Sequence, residues 1–151
     1  MKLSENFTLN EMTKSTVARR HAIVNEPNAE TIENLKLVAQ NILQPVRDHY
    51  GIPFSPSSGF RCLELNRKLN SKDTSQHVLG EAVDFEVPGI SNYELAKWIS
   101  ENLTYDQLIL ECYTPGVPAS GWVHASYKAS NPRNSVLTYF GGGNYSEGLI
   151  A

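Results

Sequence analysis

Asp84 stands in the middle of a strand-like run, Gly80-Glu81-Ala82-Val83-Asp84-Phe85-Glu86-Val87, and no fold can leave that carboxylate between Val83 and Phe85 without a partner. A buried charge with neither counter-charge nor metal is strongly disfavoured. The run alternates at the period of a half-buried strand, which puts Ala82, Asp84 and Glu86 on one face. Asp84 is therefore paired or metal-bound. His77 precedes Gly80, where a residue without a side chain lets the backbone turn and aim the imidazole back at the strand. His124 lies in Gly121-Trp122-Val123-His124-Ala125-Ser126-Tyr127, with Trp122, His124 and Ser126 on a common face. Taken together, His77, Asp84 and His124 form a candidate site for one zinc ion, and three protein ligands leave the fourth tetrahedral position for water. The competing reading of each histidine is a hydrogen-bonded core residue.

The chain has 151 residues, the usual size of one domain and long enough for a substantial core. Thirteen basic against sixteen acidic residues give a net charge of -3, and Arg19-Arg20-His21 is the one basic cluster, so nucleic acid is not an expected partner. The sequence holds no apolar run long enough to span a bilayer, and Met1 to Asn6 lacks the apolar core of a secretion signal. These features predict a monomer made in the cytoplasm and not inserted in a membrane. Cys62 and Cys112 are too few for a disulfide framework and are read as reduced.

Thr8-Leu9-Asn10-Glu11 and Ser91-Asn92-Tyr93-Glu94 have capping-box spacing, and each opens a helix, the second running to about Asn102. A longer helix is predicted from about Ala29 to Tyr50, bent by Pro45, and a short one around Cys62 to Leu69. Strands over 81–87, 106–112, 122–127 and 136–140 are expected to join one antiparallel sheet, with Thr114 to Pro118 as a turn-rich loop. After Gly141-Gly142-Gly143, residues 144–151 read as a flexible tail behind a domain of residues 1–143. The fold class is α+β: a small central antiparallel sheet with helices packed on one side and the metal site on the open face.

The pattern Ser75-x-His77-x6-Asp84, followed by Trp122-x-His124, resembles the signature of the zinc D-alanyl-D-alanine peptidases and their phage endolysin relatives. Those enzymes share a core with lysostaphin-type peptidases and the hedgehog signalling domain. The likeness also runs through residues 3–20, Leu43 to Arg47, Ser57-Ser58-Gly59-Phe60-Arg61, Leu65-Asn66 and Asp106 to Ile109, covering roughly the first 140 residues. It implies zinc ligands at His77, Asp84 and His124 and a substrate in the stem peptides of cell-wall peptidoglycan. A phage lysis protein, released at lysis or carried in the particle, would reconcile cytoplasmic synthesis with that substrate.

Many relatives place an acid or a histidine two or three residues before the last ligand, where this chain has Trp122 and Gly121. The resemblance therefore points to Glu111, at the end of Asp106-Gln107-Leu108-Ile109-Leu110-Glu111, as the general base, with Glu81 second. Arg61 is assigned to the substrate carboxylate or to the developing oxyanion, its alternative being a salt bridge to Glu64 or Asp84. Ser75 and Gln76 are candidates to bind the substrate backbone, and Trp122 and Tyr127 to line a groove. Carboxypeptidase and endopeptidase action both stay open. So does a catalytically silent module that binds peptidoglycan or forms part of a phage particle.

Overall fold

The structure is a computed structural model describing residues 1–151. Its frame is a five-stranded sheet of β1 (Ala82–Phe85), β2 (Gln107–Glu111), β3 (Trp122–Ser126), β4 (Ser135–Gly141) and β5 (Asn144–Glu147), in the order β1-β3-β2-β4-β5. Alternation divides the central strands into two faces. Val83, Phe85, Leu108, Leu110, Val123 and Ala125 are all fully buried on the core side. Gln107, Ile109, Glu111, Trp122 and His124 look the other way, into a cavity.

The sheet is mixed, which corrects the antiparallel expectation. β1 and β3, β3 and β2, and β4 and β5 pair antiparallel, whereas β2 and β4 pair parallel. The cause lies in the link over residues 127–134. It reverses the chain after β3 and carries it past β2, so β4 runs alongside β2 in the same direction. The flexible-tail reading of residues 144–151 is also corrected, because Asn144–Glu147 form β5 and Tyr139 pairs with Tyr145. Gly141, Gly142 and Gly143 all have positive φ and make the turn of that hairpin.

The helices are α1 (Leu9–Thr13), α2 (Thr16–Arg20), α3 (Ala29–Val38), α4 (Gln44–Tyr50), α5 (Leu63–Lys68) and α6 (Asn92–Asn102). Thr8 closes the full capping box with Glu11, and the Ser91 hydroxyl accepts from the Glu94 amide. The predicted long helix is continuous through a π-helical turn, Ala39–Leu43, that joins α3 to α4. Pro45 sits in the first turn of α4 and has no N–H to give, and the widened turn before it absorbs the missing bond. α6 packs on β2 and β3, and α3 on β1. Leu35, Ile42, Leu43, Leu95 and Ile99 fill the core between helices and sheet.

The segment before α5 fixes the site. The Ser57 amide donates to the Asp84 carbonyl and the Asp84 amide to the Ser58 carbonyl, both at 2.8 Å, so residues 57–59 lie along the outer edge of β1. A Cβ at Gly59 would collide with the Met12 backbone, and the neighbouring Phe60 amide donates to the Met12 carbonyl at 2.7 Å. Asn25 ties the same stretch down by donating to the Thr13 and Phe60 carbonyls and accepting from the Cys62 amide.

Candidate metal centre

Asp84 on β1 and His124 on β3 are direct register partners, and such pairs place their side chains on the same face of a sheet. His124 Nδ1 lies 2.9 Å from Asp84 Oδ1. His77 enters from the turn before β1, with its Nε2 3.4 Å from the same oxygen. Potential ligand atoms of the three residues all lie within 4.8 Å of one another. Each member is shielded, with side chains between 4% and 12% exposed.

The protonation chemistry of this cluster suits a cation. His77 Nδ1 is 2.7 Å from the Gly59 carbonyl, which can only accept, so Nδ1 carries the proton and Nε2 presents a lone pair. That lone pair faces a carboxylate oxygen, and two acceptors in that position require a positive charge between them. Protonating His77 is disfavoured, because its burial pushes the imidazole pKa down. A metal ion meets the requirement, and the Gly59 bond is the kind of outer contact that orients a ligating histidine. Burial on its own would raise the Asp84 carboxyl, but the hydrogen bond from His124 and the closeness of both imidazoles outweigh it and hold Asp84 well below the usual carboxylate range. Asp84 is thus a ready anion.

Arg61 closes the far side of Asp84. Its Nη2 lies 3.4 Å from Asp84 Oδ2, its Nε donates to Ser58 Oγ at 3.0 Å and its Nη1 to Asn66 Oδ1 at 3.4 Å. Of the two arrangements expected for this arginine, the structure displays the pairing with Asp84.

A cavity of about 770 Å³ opens over the sheet face that bears His124. Its walls include Glu111, Trp122, Ser75 and Gln76 from among the residues singled out in the sequence. Glu111 and Trp122 are register partners across β2 and β3, which brings the carboxylate to the same face as His124. Burial raises the Glu111 carboxyl above its ordinary value, the His124 charge opposing and the Asp84 charge reinforcing the shift. Ser75 Oγ accepts from the His77 amide. Gln76 Nε2 donates to Asp106 Oδ2 at 3.0 Å and to Glu81 Oε1 at 3.3 Å, so both Gln76 and Glu81 are held in a side-chain network. Tyr127 packs against the core, its amide donating to the Glu81 carbonyl. Cys62 caps α5 and, like Cys112, is a free thiol.

Other walls carry Tyr139 and three residues that sequence reasoning passed over, Lys72, Arg133 and Tyr145. The rings of Tyr139 and Tyr145 lie 4.4 Å apart across the terminal hairpin. Arg133 follows Ser130-Asn131-Pro132, a run of turn residues with no periodicity to mark it.

The model of the Peptidase M15 family matches residues 5–124. The chain belongs to the peptidase M15 family. Among curated proteins, none matches it. The M15 segment takes in His77, Asp84, Glu111 and His124, whereas Arg133 and the β4–β5 hairpin lie beyond it. M15 membership makes the chain a peptidase, and the His77, Asp84 and His124 cluster gives that peptidase a group able to hold a metal ion. No helix of this M15 protein is long and apolar enough to cross a membrane.

Proposed function

We propose that this M15 protein is a zinc peptidase that hydrolyses a peptide bond in the stem peptides of bacterial peptidoglycan, as a D-Ala-D-Ala carboxypeptidase or an endolysin-type endopeptidase. One observation carries the reading. His77 Nε2 and His124 Nδ1 converge on Asp84 Oδ1 on the sheet face where Glu111 shares a cavity with His124. His77, Asp84 and His124 would hold one zinc ion on that open face of the sheet. Zinc bound there supplies Lewis acidity and lowers the pKa of water.

The chain's own residues do the rest. Glu111 takes a proton from the attacking water on its carboxylate and delivers it to the departing amine nitrogen. Its partial burial suits both halves of that exchange, since a raised carboxyl binds the proton more firmly than an exposed glutamate does. Arg61 holds Asp84 Oδ2 and lends positive charge near the developing oxyanion. Trp122 offers a flat apolar wall, and Ser75 secures the turn that presents His77. The same reading places the protein at the cell wall, reached from the cytoplasm at lysis as a phage endolysin would be.

The test is fragment release from purified peptidoglycan, followed by mass spectrometry, with chelator and with zinc restored. Release that stops with chelator and returns with zinc is expected, and the fragment masses identify the bond. Binding to the wall polymer without any release would replace the peptidase with the silent binding module.

A further inference from the structure

Arg61 was the cation expected to meet a substrate carboxylate, yet all three of its donor nitrogens are engaged by Ser58, Asn66 and Asp84, and its side chain is 15% exposed. A different guanidinium faces the cavity. Arg133 donates from its amide, Nε and Nη2 to Asp106, a fully buried carboxylate, with Nη2 to Oδ2 at 2.7 Å. Nη2 also reaches Gln76 Oε1 at 3.2 Å, and Gln76 is the residue before His77. The fork is therefore fixed from behind and tied to the turn that carries a candidate metal ligand. Its Nη1 makes no hydrogen bond within the chain, and the side chain is 54% exposed on the cavity wall.

We propose that Arg133, with Lys72 as a second cation on the same cavity wall, forms a subsite that reads a free carboxylate of the peptide substrate. The inference rests on the peptidase reading above and adds what the substrate must carry. A guanidinium held by a buried acid is oriented before the ligand arrives, which lowers the ordering cost of recognition. Lys72 is exposed and forms no ion pair of its own, so it adds a free cation to a wall where Asp106 neutralises Arg133. Arg133 lies outside residues 5–124, the segment matched to the M15 family.

The experiment uses pairs of stem peptides that differ only in one free carboxylate against the carboxamide, each carboxylate being tested in turn. For the zinc-loaded protein, kcat/KM should favour one carboxylate peptide by about 10- to 100-fold, the worth of a charge-assisted hydrogen bond. Dissociation constants of the same peptides for Glu111→Gln, measured by calorimetry, give a readout that does not need turnover. Replacing Arg133 alone would strand the buried Asp106, so the variant is Asp106→Asn with Arg133→Gln, its fold checked by circular dichroism and zinc content. In it the discrimination should fall to about twofold or less, and in Lys72→Gln it should drop by about threefold. Should the double variant not fold, Lys72→Gln decides. If wild type cleaves neither peptide, the peptidase reading fails while the binding comparison still judges the subsite. Equal affinity for every pair, affinity for none, or undiminished discrimination in the folded variants overturns it.

Discussion

Glu111 on β2 faces Trp122 on β3 in register, which puts its carboxylate one pleat away from His124 on the same side of the sheet. That placement suits the general-base role proposed for Glu111. Glu111→Gln keeps the size of the side chain and removes the proton acceptor. The variant should hold zinc at near-stoichiometric level and lose hydrolysis by about 100- to 10,000-fold. Metal analysis beside a peptide-release assay checks this, and normal turnover would reassign the base.

His77→Ala and His124→Ala should instead fail at the metal. Loss of an outer contact to a ligand costs about 10- to 100-fold in affinity, and loss of a ligand costs more. Competition with a chromophoric chelator measures the difference. Zinc bound as tightly by either variant as by wild type would remove that residue from the ligand set.

The backbone at Gly121, three positions before His124, leaves no room for an acid there. Its φ is +68°, and an added Cβ would overlap the Glu111 carbonyl oxygen. Gly121→Ala should cost about 1–3 kcal/mol from backbone strain alone, with the overlap adding to it. It should also disturb the end of β2 that carries Glu111. Chemical denaturation reads the first effect and kcat the second, and a fully stable variant would contradict the geometry.

Asp106 sets an acid limit on stability. Burial by itself would raise its carboxyl, but the hydrogen bonds and charge of Arg133 outweigh this and hold it below the ordinary value. A carboxyl depressed in the folded state stabilises the fold above its unfolded pKa of about 3.9, and that contribution fades as pH falls through the folded value. Melting temperature should therefore decline below about pH 4. In Asp106→Asn with Arg133→Gln the decline should be shallower, and an unchanged slope would show that this pair is not its source.

The site was legible where the chemistry is local. Asp84 and His124 each interrupt an apolar strand period, and His77 sits beside a glycine turn, so spacing alone could propose them. The Thr8 capping box declared itself in the same way. The parallel pairing of β2 with β4 was not legible, because it depends on where the 127–134 link crosses and not on any residue's preference. β5 was missed since Asn144-Tyr145-Ser146-Glu147 is polar and follows three glycines, the usual marks of a loop. Arg133 escaped for a related reason, as its partner Asp106 lies 27 positions away. Arg61 stood out in the sequence as a candidate, but its pairing with Asp84 and not Glu64 required the fold.

β4 covers the edge of β2 that β3 leaves open, yet it begins eleven positions after the last residue matched to the family, Ser135 against His124. A fragment ended at that boundary would bare the amides and carbonyls of a strand holding Leu108 and Leu110, an invitation to stick to other chains. The smallest piece worth expressing is thus longer than the matched segment, because the strand that shields β2 from other chains comes after it.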